Sequence, residues 1–380
     1  MNPVQRRRRL APPSILGLFG AIALAGLLFG TAGARGDSLG AYPIDAKKIS
    51  VSGISSGAFM ANQLHIAHSA LFMGAGLVAG GLYGCAVDTV ERDHPVSLAS
   101  DATGRCMSAP ALLPDVASQA AQIRQFAFKN WIDPLENLAH ARVYLFTGAS
   151  DAVVNSDTVR HAAKLYAALG VPDSQILLRD DYGVAANAGH SWVTADYGIA
   201  CDSNASPYIN NCGYDQAQDI LTHLYGPLQP RVDQPTGTIH AFAQAEFVTP
   251  IKGEPTGMAD TGFIYVPKAC EPGGHARCAL HVVLHGCAQT TADIGDKFYR
   301  HVGVNEWADS NNIVVLYPQA KRIDAEDFAA NPQPTDTWQI NPEGCWNWWG
   351  YAYDSHYLLR DGVQLNAIYR MTQRVAGLNG

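Results

Sequence analysis

The run Gly53-Ile54-Ser55-Ser56-Gly57 centres Ser55 in a G-x-S-x-G pattern, between a β-rich stretch at 49–51 and a helical pattern over 58–68. A tight strand-to-helix turn of this kind exposes a hydroxyl at the carboxyl end of a sheet, and glycines on either side leave room for strained backbone. Five residues alone are a weak signal, because glycine and serine are common in ordinary turns. A serine hydroxyl is a poor nucleophile until a base removes its proton, so an acid and a histidine must follow. Asp151 stands just past the β-rich run 143–146 in "ARVYLFTGASDAVVN", where α/β sheets collect functional groups. Its plain alternative is a turn aspartate beside Gly148 and Ser150. His190 lies in the small-residue loop "VAANAGHSWVTADYG" after the run 175–178, and it completes the chain order Ser, Asp, His.

Acyl transfer also requires two backbone N–H groups aimed at the oxyanion that develops. Ser56, directly after the nucleophile, supplies one. The second is expected from a His-Gly loop that follows a strand well before the elbow, and nothing before Ser55 qualifies. Instead "LHVVLHGCAQTTADIG" puts a buried strand ending in His285-Gly286-Cys287 far downstream of Ser55. A circularly permuted chain explains this: reading 263–380 and then 41–190 restores the order oxyanion loop, elbow, acid, histidine. The helical pattern 363–375 must then lead in space into the strand before Ser55, and closely spaced surface termini make such a cut tolerable. A two-domain chain joined at the Pro- and Gly-rich stretch 226–238 is the competing view. It leaves the second half without a nucleophile and the first half without a second oxyanion donor.

The elements that must hold these groups alternate along the chain, which argues for α/β architecture around a mainly parallel sheet. Strands are predicted at 49–51, 75–79, 143–146, 175–178, 263–266, 281–284 and 313–317, with helices at 58–68, 158–169, 291–311 and 363–375. At 380 residues, 47% hydrophobic and 16% charged, the chain has ample material for a large core. Residues 1–34 differ in kind: Arg6 to Arg9 precede an apolar run at 15–29, and Ala32-Gly33-Ala34 suits a signal-peptidase site. They read as a cleaved export signal, with a retained membrane anchor as the alternative, and 35–380 as one catalytic domain. Without those four arginines, 22 basic side chains face 34 acidic ones, a formal charge of −12 that makes nucleic acid a poor partner. The eight cysteines all follow the signal, and their even number suits disulfides in an oxidising compartment, secreted or periplasmic. No Cys-x-x-Cys pair occurs, and His65 with His68 reads as packing or capping, so neither a metal nor another cofactor is expected.

With these pieces in place the sequence resembles the short-chain-length polyhydroxyalkanoate depolymerases whose catalytic domain is permuted, relatives of secreted feruloyl and acetylxylan esterases. The similarity spans nearly all of 35–380 and rests on "SGISSGAFMANQLH", "AGGLYGCA", "GASDAVV", "NAGHSW", "LHGCAQ" and "GCWNWWG". It implies an α/β-hydrolase fold, a triad of Ser55, Asp151 and His190, and an oxyanion hole built from the N–H groups of Ser56 and Cys287. The implied substrate is a poly(3-hydroxybutyrate)-type polyester or its oligomers. A feruloyl or acetyl ester on plant polysaccharide is the second possibility, and a non-catalytic binding protein on a hydrolase scaffold the third.

Trp346, Trp348 and Trp349 invite two readings, buried packing or a flat apolar wall with indole donors for ester carbonyls, and at least one is expected to touch substrate. Small residues at Ala58, Gly80 and Gly81 are expected to line the same site. A Cys287–Cys345 disulfide is expected to hold the oxyanion loop rigid, leaving short-range pairs Cys85–Cys106, Cys201–Cys212 and Cys270–Cys278. The sequence ends at Gly380 without the polymer-binding domain that the best-known secreted depolymerases add, so amorphous polymer or soluble oligomers are the expected substrates. Oligomeric state is not legible.

Overall fold

The two strands that end in the elbow and the His-Gly loop lie side by side at the middle of one eight-stranded sheet. The computed structural model describes residues 37–91, 94–97, 101–180, 183, 187–251, 253–274, 276–328 and 339–378. The expected export signal at 1–34 lies outside them. The chain passes through β1 (Ile44–Ile54), α1 (Ser56–Ala67), β2 (Gly74–Val78), β3 (Val87–Glu91) and β4 (His94–Ser97). Next come α2 (Val116–Phe128), β5 (Arg142–Phe146), α3 (Ser156–Ala168) and β6 (Ile176–Arg179). Short strands β7 (Trp192–Thr194), β8 (Ile199–Ala200) and β9 (Ile209–Asn211) precede α4 (Gln216–Tyr225), β10 (Thr238–Ala243) and β11 (Thr261–Val266). The last part holds β12 (Cys278–Leu284), α5 (Thr291–Ile294), α6 (Lys297–His301), α7 (Val304–Asn311), β13 (Ile313–Tyr317) and α8 (Val363–Val375).

The main sheet runs β10-β11-β13-β12-β1-β2-β5-β6, antiparallel from β10 to β13 and parallel beyond. Its two faces carry separate cores, because successive strand residues point to opposite sides. Leu280, Val282 and Leu284 of β12 pack with α1, α2, α3 and α8, while Val283 of the same strand packs with α4 and α7. Counted from β10, and passing from α8 into β1, the spatial order becomes first, second, fourth, third, then fifth to eighth. The join is direct: the Tyr42 N–H donates to the Val375 carbonyl at 2.9 Å. Residues 35–380 form a compact unit.

The register of the two central strands is fixed by a buried polar group as well as by the ladder. His281 of β12 bonds Ser50 Oγ through Nδ1 at 2.7 Å and Ser52 Oγ through Nε2 at 2.8 Å. Burial holds this imidazole neutral, its pKa pushed down to about 3.

One expectation requires correction. The helix expected over 291–311 is three short ones, because Gly295 (φ 65°) and Gly303 (φ 79°) take left-handed backbone that stops each segment. Helices α2 and α4, edge strand β10 and the β7–β9 sheet go beyond the elements read from periodicity. In α1 every residue is buried, so no amphipathic stripe marks it as a helix.

Candidate active site

Ser55 leaves β1 with φ 54° and ψ −123°, a conformation an L-residue holds only where its surroundings over-determine it. Its flanking glycines serve close approach. A Cβ on Gly53 would lie 2.3 Å from the Gly57 carbonyl oxygen, and one on Gly57 would lie 2.4 Å from those of Leu284 and His285. The first turn of α1 therefore rests on the backbone that carries the His-Gly loop. As the first helical residue, Ser56 has an N–H without an intrahelical partner.

Asp151 follows β5 and turns its carboxylate inward. Oδ1 accepts the N–H groups of Val153 and Val154 at 2.8 and 2.9 Å, and Oδ2 accepts from His190 Nδ1 at 2.9 Å. With the Nδ1 proton kept on the ring and donated in this bond to Asp151, His190 Nε2 is left with its lone pair free to accept. The two loops touch, since a Cβ on Gly148 would meet the Ala188 carbonyl oxygen at 1.9 Å. Asn204 braces both: Oδ1 accepts the His190 N–H at 2.8 Å and the Ala152 N–H at 2.9 Å, while Nδ2 donates to the Ser150 carbonyl at 2.9 Å. Nothing in its local sequence marks Asn204, because its function comes from where the fold places it.

Ser55, His190 and Cys287 open onto one cavity of about 490 Å³, walled by Met107, Val153, Tyr208, Ile340, Trp348 and Trp349. Ser55 Oγ forms no hydrogen bond to His190 here, and such bonds commonly tighten once substrate is bound. Cys287 is joined to Cys345, which also lines the cavity. The remaining pairs are Cys85–Cys106, Cys201–Cys212 and Cys270–Cys278. Among the described residues no group of three or more His, Cys, Asp or Glu could hold a metal, and no helix is long and apolar enough to cross a membrane.

The structure separates the three tryptophans. Trp346 is wholly buried away from the cavity, donating its indole N–H to the His285 carbonyl at 3.0 Å, so its place is packing under the His-Gly loop rather than the substrate wall. Trp348 stacks on Phe59 at 4.1 Å and meets Trp349 edge-on at 5.5 Å. Its buried Nε1 has no partner among the described residues. Ala58, Gly80 and Gly81 also stay out of the cavity: a Cβ on Gly80 would meet the Ser55 carbonyl oxygen at 2.9 Å, so these small residues let α1 and the segment after β2 close behind the elbow.

A strained serine at a strand-to-helix turn, a histidine bonded to a buried aspartate and this sheet order define an α/β-hydrolase of the serine-histidine-aspartate class. The chain is 34% identical to the polyhydroxybutyrate depolymerase of Talaromyces funiculosus over 370 residues, 96% of this chain and all of that one. It is 42% identical over 346 residues, 90% of its length, to a poly(3-hydroxybutyrate) depolymerase of Delftia acidovorans, of which it spans 62%. The crystal structure of PHB depolymerase from Penicillium funiculosum matches with TM-score 0.73 at 30% identity, covering 90% of this chain and 100% of that one. A serine-to-alanine variant of PHB depolymerase complexed with R3HB trimer matches at 0.74 and 31%, with the same coverage. No family model matches the chain. The chain belongs to the polyhydroxybutyrate depolymerase family.

Proposed function

We propose that the protein is a serine esterase that cleaves poly(3-hydroxybutyrate)-type polyesters or their oligomers through an acyl-enzyme. Ser55 is the nucleophile, His190 the base and Asp151 its orienting partner. Nε2 of His190 takes the Ser55 proton as Oγ attacks the ester carbonyl carbon, and charge moves to the carbonyl oxygen. The N–H groups of Ser56 and Cys287 receive that charge, each donor being worth about 10²–10³ in rate. His190 then returns the proton to the departing alkoxide, releasing an alcohol. A water deprotonated by the same nitrogen hydrolyses the acyl-Ser55 ester and frees the acid.

One observation carries the substrate assignment: Ser55, His190 and Cys287 share an apolar cavity whose wall includes the rings of Trp348 and Trp349. That wall suits a short uncharged acyl unit. None of the described lining residues is Lys or Arg, so a clamp for a charged acyl group is missing from this wall. The R3HB trimer held by a relative of this fold supports the same substrate class. The four disulfides fit an oxidising compartment, and we assign residues 1–34 as the export signal of a secreted or periplasmic enzyme whose catalytic domain is 35–380.

Protein freed of residues 1–34 is expected to release 3-hydroxybutyrate or short oligomers from amorphous polyhydroxybutyrate, with much weaker action on long side-chain polyesters. Polymer and trimer left intact, alongside efficient cleavage of methyl ferulate, would overturn the substrate while leaving the esterase chemistry in place.

A further inference from the structure

We propose that Gln289 is a positioning residue whose carboxamide ties the oxyanion loop to the histidine side of the cavity, setting the Cys287 N–H in register with His190. The inference rests on Cys287 being the second oxyanion donor. Gln289 is 1% exposed. Its Oε1 accepts the Gly286 N–H at 2.6 Å, and its Nε2 donates to the carbonyls of Pro207 and Tyr208 at 2.8 and 3.2 Å. A buried amide with both ends bonded has a closely determined orientation, and it passes that orientation to the groups it binds.

At the loop end, Gly286 is held on both of its peptide units. The Ala320 N–H donates to His285 Nε2 at 3.1 Å, which leaves the ring proton on Nδ1 to donate to the Gly286 carbonyl at 2.7 Å. In a planar trans peptide a C=O and the N–H that follows point in opposite directions. Anchoring the Gly286 carbonyl on one side thus aims the Cys287 N–H to the other. Gln289 fixes the preceding peptide unit, so both hinges of the donor are clamped.

At the far end stands Tyr208, a non-glycine residue at φ 55°. Its carbonyl also accepts the N–H of Trp192, two residues past His190, at 2.9 Å. Its ring lines the cavity and meets the His190 ring edge-on at 5.8 Å. Left-handed backbone at such a residue persists only under constraint from its neighbours, and the Gln289 amide supplies part of it. The amide therefore touches the machinery on both sides without touching substrate.

The test compares full-chain wild type with Gln289→Met and Gln289→Glu on soluble p-nitrophenyl butyrate. It also measures binding of an alkylboronic acid, which forms a tetrahedral adduct at Ser55, and thermal unfolding. Gln289→Met is expected to lower kcat by about 10- to 100-fold, less than outright loss of an oxyanion donor. KM should change by less than about 3-fold, and boronate affinity should fall in step with kcat, since only the tetrahedral state uses the aligned N–H. Gln289→Glu sets an ionised oxygen against two carbonyls at pH 8. Its boronate affinity relative to wild type should recover toward pH 5, where a protonated carboxyl can donate again. Folded variants with kcat and boronate affinity within about 2-fold of wild type overturn the proposal, as does a loss of folding in both variants, which makes Gln289 a packing residue. Wild type inactive toward the ester would instead refute the esterase reading itself.

Discussion

The two sides of the cavity are built by different means. The base side is local: Asp151, His190 and their brace Asn204 fall within 54 residues, held by the Asp151–His190 bond and by three bonds from the Asn204 side chain to backbone groups. The oxyanion side is assembled from far apart. Cys287 is bonded to Cys345, 58 residues on; Trp346 caps the His285 carbonyl; Gln289 reaches back to Pro207 and Tyr208. Closing long loops costs more chain entropy than closing short ones, so the distant side depends on a covalent tie and fully buried polar links.

Four measurements can break or sharpen that contrast. The largest effect is expected where both sides converge on the reacting atoms: Ser55→Ala and His190→Ala should each lower kcat by about 10³-fold or more, because triad members act as a unit. A His190 variant that keeps a tenth of the activity would break the assignment.

Second comes the pair of ties. By loop length, removing Cys287–Cys345 should cost about 4 kcal/mol, against about 3 for Cys201–Cys212, whose separation is 11. Urea unfolding of the two double-serine variants measures this, and only the first should also depress kcat. Equal kcat in both variants would mean the oxyanion loop needs no covalent support.

Third, Asn204→Ala removes an acceptor shared by two loops, with an expected loss of about 1–3 kcal/mol and a fall in kcat at nearly constant KM. Unchanged kcat would reduce Asn204 to a surface turn residue.

The smallest effect on activity is expected from a pH slope in stability. Burial pushes the His285 imidazole down to about 4, below its ordinary value near 6.5. The unfolded chain therefore binds the extra proton between those values. The stability contributed by neutral His285 is complete above about 6.5 and lost as pH falls toward 4, by about 1.4 kcal/mol per pH unit. His285→Asn, which cannot titrate, should lessen the slope of unfolding free energy against pH in that window, the remainder coming from His65, His68 and His281, also pushed down by burial, and an unaltered slope would place the proton uptake elsewhere.

Much of the chemistry was legible because it depends on local pattern. Ser55 between close-approach glycines, Asp151 past an apolar strand and His190 in a small-residue loop each carry their signal within a few neighbours. The interrupted helix at 291–311 was misread because apolar spacing continued through Gly295 and Gly303, whose left-handed backbone outweighs the periodicity. The tryptophans show the limit of composition, since one motif sends Trp346 into the core and Trp348 to the cavity wall.

By itself the sequence determined the enzyme class, the α/β fold and the permuted reading of the sheet, since each depends on residue type and on position along the chain. Only the tertiary structure decided that Trp348 and Trp349 face the cavity while Trp346 does not, that Asn204 braces two loops and that Gln289 bridges Gly286 to Tyr208. Those roles depend on side-chain direction and on contacts between segments far apart in the chain, as between Trp348 and Phe59 or Gln289 and Tyr208. A buried amide and an exposed one are spelled with the same letter, and packing alone separates them.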